Sequence, residues 1–196
     1  TGAAGSIGSE LVRQIMRQEP KLLIALDQAE TPTYQLDLEL QTYSNYPNVK
    51  TVIASVTDES RMASIFKTYS PNVIFHAAAY KHVPLMEDNP EEASKTNILG
   101  TFTTAKLSSV HKAECFVMVS TDKAVNPTNI MGASKRAAEH VVSYINRQHT
   151  NQTRFVTTRF GNVLGSNGSV IPLFKKQLEA GGPITLTHKD ITRYFM

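Results

Sequence analysis

The chain has 196 residues, of which 41% are hydrophobic and 19% charged; this excludes a disordered polar tract and suits one well-buried domain with part of a second. The net charge of +3 comes from scattered basic residues, so the basic stripe interleaved with aromatics that a nucleic-acid groove needs is missing. A single cysteine, Cys115, excludes an internal disulfide and fits a cytoplasmic setting, and no apolar run approaches the roughly 20 residues of a membrane helix.

In chain order, "TGAAGSIGSE" reads as a glycine-rich turn entering a helix over 6–18. The strand that should lead into this turn is expected upstream of the sequence. A parent longer at both ends is therefore expected, with any membrane contact confined to segments outside this one. The runs 21–26, 50–55, 72–79, 114–120 and 153–160 read as buried strands, and 31–44, 58–69, 91–112 and 131–149 as helices between them. Such alternation predicts an α/β fold, a doubly wound parallel sheet whose strand carboxyl ends share one ligand-collecting edge. From 161 onward the sequence is richer in Gly, Asn and turn signals. The expected division is a nucleotide-binding domain over 1–160 and the start of a smaller substrate-binding subdomain over 161–196.

Gly2, Gly5 and Gly8 form G-x-x-G-x-x-G. Glycines so spaced permit a tight turn, let backbone approach a pyrophosphate and let the helix pack on the sheet; a plain turn uses the same residues. Asp27 ends the next apolar run, close to the offset of about 20 residues at which a carboxylate meets adenosine ribose hydroxyls. A carboxylate there would repel a 2′-phosphate and so favours NAD over NADP, although it could equally be a helix cap. Three later blocks bear on chemistry: "HAAAYKHVP" (76–84), "STDKAVNP" (120–127) and "MGASKRAAEH" (131–140). In the last, Met131 and Lys135 lie four apart and share a helix face. The six histidines show no metal-ligand spacing, and no metal is expected.

With "TNILGT" and "TRFGNVLGSNGSVIPLF", these blocks resemble the extended short-chain dehydrogenase/reductase superfamily. Within it the chain is similar to the CapD-like polysaccharide-biosynthesis group of UDP-N-acetylglucosamine 4,6-dehydratases. The resemblance implies a Rossmann-type fold, a recycled nicotinamide cofactor and a homo-oligomer. It also implies a reaction in which the sugar C4 hydroxyl is oxidised, water is lost across C5 and C6, and hydride returns to C6. Asp122 would protonate the leaving hydroxyl, Lys123 would take the C5 proton and Thr121 would bind the C4 oxygen. Adjacent opposite charges favour the wrong protonation states for these roles, so burial and substrate must shift them. Lys135 would bind the nicotinamide ribose. Met131 stands where the superfamily has a catalytic tyrosine, and a thioether cannot move a proton; this points to a methionine-bearing branch in which Asp122, or water relayed through Thr121, is the first base.

The resemblance places cofactor contacts at Gly2, Gly5, Ser6, Ile7, Gly8, Asp27, Ser55, Val56, Ala77, Ala78, Ala79, Lys81, Asn97 and Lys135. Sugar-nucleotide contacts fall at Lys81, Arg159, Asn162, Ser169 and Arg193. A 4-epimerase on the same fold and a non-catalytic nucleotide-binding module are the alternatives.

Overall fold

The computed structural model describes every residue except Asn45, Asn167, Thr187, His188, Ile191, Arg193, Tyr194 and Met196. Arg193, expected at the sugar nucleotide, thus lies outside the described residues. The chain divides into two compact units, Thr1–Arg159 and Phe160–Met196.

In the first unit, β1 (Leu23–Asp27) and β2 (Val49–Ile53) pair in parallel, with Leu23 opposite Val49 and Asp27 opposite Ile53. A second sheet has the order β3 (Val73–His76), β4 (Cys115–Thr121), β5 (Arg154–Phe160), and β3 runs parallel to β4. The opening residues join the two sheets. Ala3 N donates to Leu26 O at 3.0 Å, Thr1 N donates to Phe75 O at 2.8 Å, and Ala77 N donates to Thr1 O at 3.1 Å. The glycine turn therefore lies over the carboxyl ends of both β1 and β3.

Helices α1 (Ser6–Met16), α2 (Glu30–Leu40) and α3 (Glu59–Tyr69) alternate with these strands. Phe116, Met118, Leu26, Ile74 and Phe66 are buried together with Ala138 and Val142, so the β-branched and aromatic runs of the strands form one core. Asp58 caps α3 by accepting from Arg61 N, and Asn129 caps α7 (Ile130–Asn146) by accepting from Gly132 N at 2.8 Å.

Four elements depart from the expected pattern. The run expected as one helix over 91–112 is α5 (Pro90–Ala93), a π-helical turn (Ser94–Leu99) and α6 (Gly100–Val110). Its π turn holds the fully buried Asn97, whose side chain bonds outside the helix. The strand expected over 72–79 stops at His76; beyond it Ala77 N donates to Thr1 O, and Tyr80 gives its backbone N–H and C=O to Asn97. Unexpected helices form at α4 (Val83–Asp88), where Pro84 suits the first turn, and, in the second unit, at α8 (Val170–Glu179). The second unit also carries a bridge between Asn162 and Phe195. Among the described residues, no helix is long and apolar enough to cross a membrane.

Candidate active site

The glycine turn is sterically committed. Gly2 has φ +67°, and a Cβ there would sit 2.5 Å from Ala78 N; a Cβ on Gly8 would sit 1.8 Å from Gly2 O. Side chains at either position would collide with backbone, so the turn, the start of α1 and the Ala77–Ala78 segment can pack this closely only as glycine. Gly5 is the α1 N-cap and donates to Gly2 O at 3.2 Å. Ser6, Ile7 and Gly8 form the first turn of that helix, where backbone N–H groups lack intrahelical acceptors and the helix dipole is positive. Asp27 Oδ2 accepts from Ala4 N at 3.0 Å and Oδ1 from Ala29 N at 2.9 Å. Its carboxylate therefore ties the glycine turn to the entry of α2, whose N-cap is Ala29.

One cleft is lined by Gly2, Gly5, Asp27, Val56, the Ala77–Ala79 run and Tyr80. Backbone amides, a carboxylate and an apolar alanine wall give it the means to hold an anionic phosphate, a diol and a planar ring. Ser55 turns its hydroxyl to Thr57, at 2.8 Å between the oxygens. Lys81 is on the exposed side of the loop, and partial burial still lowers it from the ordinary lysine value.

A chain of hydrogen bonds runs from this cleft to α7. The Thr101 hydroxyl donates to Asn97 O at 2.6 Å, so at 3.0 Å from His76 Nε2 it must accept. His76 is then the Nε2–H tautomer, its Nδ1 accepting from the Thr1 hydroxyl at 2.8 Å. Burial, with the charge of Lys135 adding to it, holds His76 well below its usual value and hence neutral. Asn97 Oδ1 accepts from Tyr80 N at 2.8 Å, and its Nδ2 donates to Tyr80 O at 3.0 Å and Ser134 Oγ at 2.9 Å. Ser134 in turn donates to Met131 O at 2.8 Å. The whole run bridges β3, the π turn and α7 with every bond satisfied internally.

At the carboxyl end of β4, Thr121 donates to Asp122 Oδ1 at 2.8 Å and Lys123 Nζ donates to the same oxygen at 3.0 Å. Partial burial raises Asp122, but these two hydrogen bonds and the Lys123 charge outweigh it, and the carboxyl stays below its usual value. Lys135 is only 6% exposed, and its Nζ donates to Val119 O at 2.6 Å. Burial lowers it to about 8, against an opposing pull from Glu139. Met131 packs with Met86 and Ala93 in a cluster edged by Tyr80, Val83 and Ile130. Gly132 brings the two parts together, since a Cβ on it would lie 2.5 Å from Lys123 O.

The family of polysaccharide biosynthesis proteins matches residues 1–196 of this sequence. The chain belongs to that family. CapD of Staphylococcus aureus, a capsular polysaccharide biosynthesis protein, is 51% identical over the whole chain, which spans 33% of CapD. The inverting UDP-N-acetylglucosamine 4,6-dehydratase of Campylobacter jejuni is 34% identical, with the chain covering 58% of it. A UDP-glucose 4-epimerase of Rickettsia bellii matches at the same 34%, with 57% covered. The crystal structure of Pen from Bacillus thuringiensis superposes on 100% of the chain with a TM-score of 0.94 at 33% identity, and the chain covers 61% of it. The fold is the Rossmann type of the short-chain dehydrogenase/reductases, as the sequence blocks implied.

For this family member, the expected cofactor residues Gly2, Gly5, Asp27, Val56 and Ala77–Ala79 share one cleft, and Asn97 braces the adjoining Tyr80. Arg159, expected at the sugar nucleotide, donates through Nε and Nη2 to Glu139 at 2.8 and 2.5 Å, so those two donors are occupied. In the second unit, the Ser169 hydroxyl is buried without a hydrogen-bond partner among the described residues, whereas Asn162 lies in the bridge to Phe195. Sequence reasoning assigned no role to His76, Thr101, Ser134, Ser120 or Glu139. For Glu139 the available signal was its place four residues after Lys135, on the same helix face.

Proposed function

We propose that this chain is the catalytic part of a nucleotide-sugar 4,6-dehydratase acting on UDP-N-acetylglucosamine with NAD, in the service of surface-polysaccharide synthesis. The observation that carries the reading is the juxtaposition, through Gly132, of the Thr121–Asp122–Lys123 turn with the helix bearing buried Lys135. An epimerase needs oxidation at C4 but no acid–base pair for elimination, and here such a pair stands at a strand's carboxyl end.

NAD would be held by Gly2, Gly5 and Ala77–Ala79, with Asp27 for the adenosine ribose; when bound it would supply a reversible hydride acceptor for a carbinol carbon. The residues do the rest. Asp122, ionised at rest, accepts the C4 hydroxyl proton while Thr121 holds the oxygen and the Lys135 cation stabilises developing negative charge. Asp122 is then the acid that the leaving C6 hydroxyl requires. Lys123, once its proton has passed to solvent, takes the one at C5. This order gives Asp122 the proton that its role as acid requires. Met131, in its apolar cluster, moves no proton; the chain is then of the methionine-bearing branch. Ser169 and Asn162 are proposed sugar-nucleotide contacts, supported at Ser169 by its unpartnered hydroxyl.

The test is mass spectrometry of UDP-N-acetylglucosamine after incubation with the full-length protein. A product lighter by one water supports the dehydratase; an isomer of unchanged mass supports the epimerase; bound cofactor with no keto product supports a non-catalytic module. Titrating the same preparation with NAD and NADP checks the Asp27 assignment, which equal affinities would contradict.

Gly132→Ala should uncouple the turn from α7. The added methyl meets a backbone carbonyl, so we expect a loss of about 1–3 kcal/mol and a fall in product formation of at least about tenfold, as misplacement of catalytic groups predicts. Thermal melts and the product assay check this; an unchanged rate would disconnect the two parts of the site.

A further inference from the structure

Two consecutive residues of β4 are held by two residues of α7. Lys135 donates to Val119 O at 2.6 Å, and Ser120 Oγ donates to Glu139 Oε1 at 2.6 Å. Lys135 and Glu139 are four apart and so occupy one helix face. Val119 and Ser120 immediately precede Thr121–Asp122–Lys123, so this double contact sets where the turn begins. Glu139 is 7% exposed, and its carboxylate is full: Arg159 grips both oxygens and Arg136 Nη1 donates to Oε2 at 3.2 Å. Burial would raise this acid, yet Arg159, Ser120 and Arg136 together bring it down to about 2.

A buried carboxylate is a poor choice for packing alone, because apolar residues of like volume commonly do as well or better. Here it has an electrostatic task. Lys135 sits in a neighbourhood of positive charge, with Arg136 on its own helix and Arg159, from β5, against Glu139 one turn on. Of the other ionisable groups on the elements packed here, His76 on β3 is neutral, and Asp122 and Lys123 after β4 pair with each other. Lys95 of the π turn pairs with Glu92 of α5 and Lys106 of α6 with Glu59, while Glu87 of α4 accepts from Ile130 N at the far end of α7, with Asp88 and Glu91 on the same two short helices. Without Glu139, burial and two arginines would all disfavour the Lys135 cation.

We propose that Glu139 is a positioning residue of this site: anchored by Arg159, it fixes Ser120 and the start of the Thr121–Lys123 turn, and its negative charge keeps buried Lys135 a cation. The catalytic consequence rests on the dehydratase reading; the charge relationship itself does not.

The experiment follows the Lys135 ε-carbon by NMR in ¹³C-lysine-labelled full-length protein, with its signal identified through Lys135→Arg. In Glu139→Gln, which keeps shape and an acceptor for Ser120, the midpoint should fall by about one unit from its wild-type place near 8. Glu139→Asp should recover at least half of that shift. The alkaline limb of the product-formation profile should move with the midpoint. An unmoved midpoint in a folded Glu139→Gln overturns the proposal. If that variant does not fold, Arg136→Gln decides, read at a melting temperature equal to wild type because loosening would itself raise a lysine lowered by burial: removing this cation should raise the midpoint, and no rise overturns the proposal. A midpoint that shifts in a protein yielding no keto product sustains the charge relationship and defeats the dehydratase reading instead.

Discussion

Replacing Lys123 with alanine is expected to lower formation of the 4-keto-6-deoxy product by about 10²- to 10⁴-fold, the usual worth of a positioned acid or base. Cofactor binding should stay within about twofold, because the glycine turn, Asp27 and the alanine wall belong to a cleft that Lys123 does not line. Folding should hardly notice the change: the Lys123–Asp122 pair has side chains 36% and 47% exposed, and pairs of that kind contribute roughly 0–1 kcal/mol. Lys123→Arg sharpens the test, since it keeps a cation beside Asp122 but cannot act as a base near neutral pH. Activity retained in either variant would reduce the turn to an ordinary surface ion pair. Loss of NAD affinity, read by calorimetry on the same samples, would contradict the role given to Lys123.

The second large effect concerns Gly8→Ala. The new methyl would lie 1.8 Å from Gly2 O, and both groups belong to backbone, so either α1 or the glycine turn must move. We expect a loss of about 2–4 kcal/mol, as for overpacking at its severe end. In a domain of this size that is a fall in melting temperature of roughly 5–15 °C. NAD affinity should drop at least about 100-fold, because the backbone amides offered to a pyrophosphate are displaced with the turn. Gly5→Ala is the contrast. Its Cβ would meet Gly2 O at 3.4 Å and nothing nearer, so it should cost less than about 1 kcal/mol while still crowding an approaching phosphate. Equal melting temperatures for the two variants would refute the close packing of Gly8 on Gly2.

The alternation of apolar runs and helical segments was legible because the strands carry short apolar runs, most deeply buried in β4 although β5 is largely exposed, and β1 to β5 fall within the expected runs to within a residue. Their ends were less so. Nothing local marks a strand end at His76, and the partner of the backbone just beyond, Asn97, lies 17 residues on from Tyr80. The same side chain accompanies the π turn within a segment whose sequence reads as plain helix.

The sequence by itself determined the fold class, the glycine turn with Asp27, and the blocks that mark the family, because these are written in neighbouring residues and their spacing. Only the tertiary structure decided that Arg159 serves Glu139, that His76 is a neutral relay between Thr1 and Thr101, and that Met131 lies in an apolar cluster. Arg159 follows Glu139 by 20 residues and reaches it from strand β5, whereas Glu139 is on helix α7. The partner of a buried charge is set by which elements the fold brings into contact, and spacing along the chain carries no record of it.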